Sequence, residues 1–304
     1  MNRPQRPPRR RIDGVVLLDK PGGMSSNAAL QKAKWLYNAA KAGHTGTLDP
    51  MATGLLPLCF GEATKFSGEL LGADKRYEAT LRLGVVTDTA DADGAVLQTR
   101  AVAVSREQVE GVLARFRGEI EQVPPMHSAL KRDGRPLYEY ARKGIEVARA
   151  PRRVIIHALE LVRLEGDRLD IAVDCSKGTY VRTLAQDIGE ALGCGAHLTA
   201  LRRTRIGGLA LLDAITLDAL EVLAPAARDA LLRPADALLA ALPRLDLDAT
   251  LAMRLTRGQA IRTGEVNPGR LRLYGPDGRF LGLGEASEDG QVAPLRMIAT
   301  LLEK

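Results

Sequence analysis

Asp49 stands in KAGHTGTLDPMATG (residues 41–54), where three glycines and a proline rule out regular structure throughout. Pro50 removes one backbone donor and biases Asp49 towards an extended backbone. Gly43, Gly46 and Gly54 let the main chain turn tightly and approach a ligand closely. A polar loop between apolar segments is either a surface excursion or a site. An ionised carboxylate held there offers covalent or electrostatic catalysis. The alternative is an Asx-turn in which Asp49 only hydrogen-bonds its own loop. No GxxxxGK[ST] occurs, so the loop is not a P-loop.

A second group is CSKGTYVRTL (residues 175–184), placed at a strand-to-helix junction whose outward N–H groups suit a polar ligand. Arg182 falls in the first turn of that helix, where the dipole disfavours a cation. Its presence there asks for a fixed anionic partner, unless it is a surface arginine that tolerates a small penalty. A third group is KRYEA (residues 75–79): an aromatic among basic residues at a strand start suits base stacking beside phosphates. The ordinary alternative for Tyr77 and Tyr180 is partial burial with a wet hydroxyl.

These groups need elements to position them. GVVLL (residues 14–18) reads as a buried strand ended by Lys20-Pro21-Gly22-Gly23, and Ser25 or Ser26 can cap a helix from Asn27 to Tyr37. Arg76 to Gly84 alternates as a strand, Asp91 to Gly94 is a turn, and Ala95 to Thr99 is expected to return as the partner strand. Ser105 opens a helix to Phe116 with Gln108 at the capping-box position. Residues 154–162 and 169–175 form a hairpin, and a helix runs from about Tyr180 to Leu192, ended by Gly193. Residues 216–242, rich in Ala and Leu, are expected to be helical. From about Leu245 the pattern becomes a compact β-rich module. The expected class is α+β: a mixed, largely antiparallel sheet with flanking helices, plus a small β-rich C-terminal module. The expected divisions are a basic disordered arm (1–11), a catalytic domain (12–244) and the module (245–304).

Composition narrows the function. The 304 residues hold 43 Lys and Arg against 37 Asp and Glu, a net charge of +6. With an isoelectric point near 9.3, a clustered excess would attract a polyanion. Three scattered cysteines argue against a disulfide framework, and the four histidines make no metal-binding spacing. No metal or organic cofactor is expected. The basic N-terminus is followed by no long apolar segment, and no apolar stretch is long enough for a membrane span. A soluble cytoplasmic protein, by default a monomer, is expected.

Several ordered segments carry a family resemblance: DKPGGMSSN (19–27), GHTGTLDPMATG (43–54), KRY (75–77), DTADADG (88–94), SKGTYVRTL (176–184) and GCGAHL (193–198). Together they resemble the bacterial tRNA pseudouridine-55 synthases, the TruB family, from about Gly14 through Arg203 and more loosely beyond. The C-terminal module resembles a PUA-type RNA-binding unit. The resemblance implies isomerisation of the uridine at position 55, in the T-loop of tRNA, with the T-arm as the binding partner. Asp49 would be the nucleophile or base-facing carboxylate, Arg182 its partner, and Tyr77 a stacking residue with a role in proton transfer. Tyr180 and Leu201 would line the nucleotide pocket, and His44 would hold the splayed RNA. Lys20 would join the substrate-binding residues and, with Pro21, brace the catalytic loop. Two positions depart from the family pattern: Thr47 stands where Ala is common, and His127 where Tyr is common.

Pseudouridine formation cuts the N1–C1′ bond, turns the uracil and joins C5 to C1′, so no atoms or electrons are gained. The uridine must leave its stack, at a cost of a few kcal/mol. The carboxylate must stay charged in a dry pocket, and a paired Arg opposes desolvation by about 1–3 pKa units. Competing classes are a non-catalytic RNA-binding or RNA-folding protein, and an RNA methyltransferase, which is disfavoured because no glycine-rich cofactor loop follows the first strands.

Overall fold

The computed structural model describes residues 8–299 apart from 129 and 265. In chain order, the elements that frame the cleft are β1 (Gly14–Lys20), α1 (Ser26–Leu36), β2 (Ala42–His44), β3 (Thr53–Phe60), β4 (Lys75–Leu83), α2 (Arg106–Arg115), β5 (Gly118–Gln122), β6 (Arg152–Glu165), β7 (Arg168–Cys175), α3 (Val181–Ala191) and β8 (Ala196–Ile206). β1 and β3 are nearly continuous apolar runs and are buried along almost their whole length, as strands covered on both faces must be. β4 alternates, with every second side chain turned out.

These strands form one sheet in the order Ile215–Thr216, β1, β3, β8, β4, β7, β6, β5, with β2 on β3 and Leu209–Ala210 on β8. Pairing is parallel between β1 and Ile215–Thr216 and between β3 and β8, and antiparallel elsewhere. The mixed, largely antiparallel α+β class is therefore observed. One core holds the inward sides of α1, α2 and α3 against the sheet, including Leu30, Val109, Leu113, Leu184 and Ile188. Ser25 caps α1 by accepting from the Ala28 amide at 3.1 Å, which frees Ser26 for another task. The capping box of Ser105 and Gln108 is formed as expected.

The crossing of β3 and β8 decides where the site can form. Arg203 of β8 lies opposite Gly54 of β3, and a Cβ at Gly54 would sit 2.3 Å from the Arg203 carbonyl oxygen at a φ of +99°. Gly54→Ala is therefore expected to cost more than about 3 kcal/mol. A fall in the urea midpoint checks it, and an unchanged midpoint would mean that β8 can shift freely.

Three expectations change. Val96–Thr99 pairs with Val85–Thr87 as a separate hairpin, not with β4. Gly84, at φ +83°, ends β4 and turns the chain away, leaving both edges of β4 to β7 and β8. Residues 216–242 are not continuously helical: short helices at Leu217–Val222 and Pro225–Asp229 and a 3₁₀ turn at Ala235–Leu239 replace one long helix. Pro225 and Pro234 each lack the amide that a helix interior requires. The arm expected over 1–11 is tied down at Arg10, whose amide donates to Asn38 and whose guanidinium pairs with Asp229. Residues 1–7 of that arm lie outside the described residues.

A second, five-stranded sheet runs in the order Arg244–Asp246, Gly269–Tyr274, Phe280–Ala286, Gln291–Met297, Ile261–Arg262, with the helix Ala249–Thr256 beside it. It packs on the first unit through Phe66 and Phe280, with ring centroids 5.4 Å apart, and through the pair Arg270–Glu69 at 2.6 Å. Residues 300–304 of the expected 245–304 module lie outside the described residues.

Candidate active site

The chain between β2 and β3 is irregular, as its glycines require, and it is held from three sides. Ser26 Oγ accepts from the Leu48 amide at 2.8 Å and donates to the Leu48 carbonyl at 2.9 Å. Lys20, at the end of β1, donates to the carbonyls of Pro21 (2.8 Å), Met24 (2.6 Å) and Pro50 (3.4 Å). From β8, Arg203 donates to the carbonyls of Leu55 (2.8 Å), Gly46 (3.2 Å) and Thr47 (3.5 Å). Asp49 is thus presented from a backbone fixed on both flanks.

Its carboxylate is turned across the cleft rather than into its own loop. Oδ2 lies 2.9 Å from Nε of Arg182. Arg182 is the second residue of α3, as its place in the sequence suggested, and is only 5% exposed. Nη1 lies 3.4 Å from Oδ2 of a second carboxylate, Asp91. Nη1 and Nη2 also donate to the carbonyls of Thr89 (3.2 Å) and His127 (2.7 Å). Two anions therefore answer the cation at this helix start. Asp91 is itself pinned: its Oδ1 accepts from the Thr89 hydroxyl at 2.5 Å and from the Asp93 amide at 3.2 Å. The turn signal at 91–94 was legible in the sequence, but the second carboxylate of the site was not. The run of three aspartates in DTADADG was the only hint.

Burial pushes the Asp49 carboxyl above the ordinary carboxylate range. Arg182 draws it back, Asp91 adds to the rise and Lys20 opposes it. Burial pushes the Lys20 ammonium down to about 8, with Asp49 opposing and Arg203 adding to the fall.

Asp49, Tyr77, Tyr180, Arg182 and Leu201 line one cleft of 340 Å³, together with Leu71, Thr179 and His127. An adjoining cleft of 430 Å³ shares Thr47, Asp49, His127, Ser128 and Arg182 and adds Thr89, Asp91, Asp93, Tyr138 and Arg142. Asp49 sits where the two meet. Tyr77 comes from β4 and Leu201 from β8, each 9% exposed. Burial raises the Tyr77 phenol, with Arg203 lowering it. Tyr180 is the residue capping α3, and its backbone is held on both sides by Gln122: its amide donates to Oε1 at 3.0 Å and its carbonyl accepts from Nε2 at 3.3 Å. Gln122, at the end of β5, was missed in the sequence, because nothing local distinguishes it from a surface glutamine. His127 and Thr47, the two departures from the family pattern, both face the clefts.

Other expectations are redistributed. Lys20, expected among the substrate-binding residues, is fully buried beneath the loop and lines neither cleft. Its donors are taken by backbone carbonyls, which ties the loop to the end of β1. Lys20→Met would leave the Pro21, Met24 and Pro50 carbonyls without that donor. A loss of about 3 kcal/mol is expected from the urea midpoint, and a stability equal to wild type would remove this role. His44 stands on β2 outside both clefts, five positions before Asp49. Burial and Arg203 lower its pKa, so it reaches neutral pH as an uncharged imidazole. Lys75 and Arg76 both make contacts within the protein. Lys75 donates to the Leu70, Leu71 and Ala73 carbonyls at 3.4, 3.1 and 2.5 Å, and Arg76 pairs with Asp174 at 2.5 Å. Among the described residues, no cluster of three His, Cys, Asp or Glu side chains suits a metal ion, and no helix is long and apolar enough to cross a membrane.

Residues 34–181 match the model of the TruB family pseudouridylate synthase N-terminal domain. Residues 182–240 match the tRNA pseudouridylate synthase B C-terminal domain, and 243–298 match the pseudouridine synthase II TruB C-terminal family. The chain is 61% identical to tRNA pseudouridine synthase B of Aromatoleum aromaticum, over 96% of this chain and 95% of that one. It is 59% identical to the protein of the same name from Thiobacillus denitrificans, over 97% and 99%. Among solved structures it resembles one in a Cbf5–Nop10–Gar1 complex, with a TM-score of 0.70 and 27% identity, covering 96% of this chain and 81% of that one. Sequence identity at this level across almost the whole length, on a fold that brings Asp49 to Arg182, places the chain in the TruB family of pseudouridine synthases.

Proposed function

We propose that this protein isomerises the uridine at position 55 of tRNA to pseudouridine, with Asp49 as the essential carboxylate. The observation that carries the reading is the Asp49–Arg182 pair, at 2.9 Å, opening onto a cleft walled by Tyr77, Tyr180 and Leu201. A charged group with flat and apolar walls suits a single extruded pyrimidine nucleotide. Asp49 stabilises or traps the electron-poor C1′ while the uracil is detached. Arg182 keeps it ionised, and Asp91 keeps Arg182 in place. Tyr77 stacks on the base and takes part in moving the proton that must leave C5. Tyr180 and Leu201 hold the turning ring, and His44 meets the displaced RNA as a neutral imidazole. The balance is internal: N1–C1′ breaks, C5–C1′ forms, and the C5 proton is exchanged for one at N1.

The substrate part is the T-arm, and residues 245–304 serve as a PUA-like RNA-binding module beside the catalytic domain of residues 12–244. The protein acts as a cytoplasmic monomer. Incubating the purified protein with unmodified tRNA transcript and no added small molecule tests the reading. Pseudouridine is expected at position 55 alone, and an isolated T-arm hairpin is expected to be modified too. Unmodified RNA after single-turnover incubation, or modification at a different position, would overturn it.

A further inference from the structure

Arg203 is 2% exposed, yet the scheme above gives its charge no part. Among the described residues the hydrogen bonds of its guanidinium run to neutral partners, the carbonyls of Gly46, Thr47 and Leu55, which flank Asp49 on both sides. Arg203 and Tyr77 are directly opposed on the antiparallel strands β8 and β4, so their side chains leave the same face of the sheet. Gly54, with no side chain, lets the Arg203 backbone close onto β3 and brings the guanidinium under the loop. An arginine stays protonated in any such setting. With no carboxylate within ion-pair distance among the described residues, its charge depresses Lys20, His44, Lys75 and Tyr77 alike.

We propose that Arg203 is a positioning residue for the isomerisation: one buried guanidinium fixes the backbone that carries Asp49 and orients the Tyr77 phenol, so that both groups meet the same nucleotide in register. This rests on the roles given above to Asp49 and Tyr77. Lys20 and Ser26 hold the loop as well, but neither links it to the phenol. The Arg203 charge favours the form of the phenol that has given up its proton. Cys175 on β7 and Asp49 in the loop push the phenol the other way.

The test is a double-mutant cycle of Arg203→Lys with Tyr77→Phe, read by single-turnover rate on tRNA. It is run beside the same cycle with Lys20→Met, and with RNA affinity and melting temperature measured throughout. Arg203→Lys is expected to slow the rate about 100-fold, the scale of a small misplacement of a reacting group, with RNA affinity within about threefold. With Tyr77→Phe already present, the same change is expected to cost at least about tenfold less. Lys20→Met, which loosens the loop without touching the phenol, is expected to show no such coupling. The ¹³Cζ resonance of Tyr77, assigned by its loss in Tyr77→Phe, is expected to move in Arg203→Lys and Arg203→Met and to hold its position in Lys20→Met. Losses that simply multiply, or an unmoved Tyr77 resonance, would overturn the proposal. Should Tyr77→Phe alone leave the rate intact, it is the role of Tyr77 that fails, and the resonance still decides whether Arg203 orients the phenol.

Discussion

Asp49→Asn is expected to leave no measurable turnover while keeping tRNA affinity within several-fold of wild type. The substitution is nearly isosteric, the loop is held by Ser26, Lys20 and Arg203 rather than by the carboxylate, and the cleft walls are untouched. What is lost is the negative charge facing C1′. Removing a single preorganised electrostatic stabiliser costs about 10²–10³-fold, and a group that also bonds covalently costs more. Stability should move the other way. A carboxyl raised in the folded state holds its proton more tightly there than in the unfolded chain. Its stabilising contribution is complete below the unfolded pKa and is lost as pH rises through the folded one. At neutral pH the ionised Asp49 is therefore a burden on folding, and the Asn variant should melt no lower than wild type. Nucleoside analysis of tRNA after single-turnover incubation, beside a melting curve, checks both halves. Pseudouridine formed at near the wild-type rate would remove Asp49 from the chemistry.

Arg182→Ala carries the second large effect. The guanidinium is the only cation within ion-pair distance of both Asp49 and Asp91 among the described residues. Without it the buried Asp91 and the part-exposed Asp49 face one cleft with no cation between them, at a cost below the about 3–5 kcal/mol of a fully buried network. Part of that cost appears as stability and part as proton uptake by Asp49. The wild-type acid limb of kcat/KM is expected above the ordinary aspartate value of 3.8, because burial raises Asp49 more than Arg182 lowers it. Activity requires the ionised form, so it is lost as pH falls through that pKa. Removing Arg182 takes away the main lowering influence and should move the limb further towards neutral. At pH 7 the single-turnover rate is expected to fall about 10²-fold or more, with a smaller loss of RNA affinity. An unmoved acid limb, or equal losses in rate and binding, would make Arg182 a docking residue instead.

Local rules make much of the framework legible in the sequence. Ser105 and Gln108 announced a capped helix, the two strand patterns at 154–162 and 169–175 announced the β6–β7 hairpin, and the alternation of β4 showed its exposed face. Where prediction failed, distant parts of the chain decided. Val96–Thr99 satisfied the pattern of a partner for β4, but β7 and β8 occupy both edges of that strand, and no local pattern shows that an edge is already taken. The 216–242 stretch had helical composition, and Pro225 and Pro234 broke it into short pieces.

Legible in the sequence were the ordered motifs that tie the chain to its family, and within them a carboxylate before a proline in a glycine-rich loop and an arginine placed against a helix dipole. How these residues are held together rests on contacts that no single stretch of sequence displays. That Asp91 shares Arg182 with Asp49, that Gln122 grips Tyr180, that Arg203 holds the loop from a position opposite Tyr77, and that Lys20 lies beneath the loop rather than in the cleft all depend on strands far apart in sequence being neighbours in one sheet. The physical reason is range. Backbone conformation and capping answer to neighbours a few residues away, whereas the charge state of a buried carboxylate answers to whatever lies within a few ångströms, and the chain order does not record that.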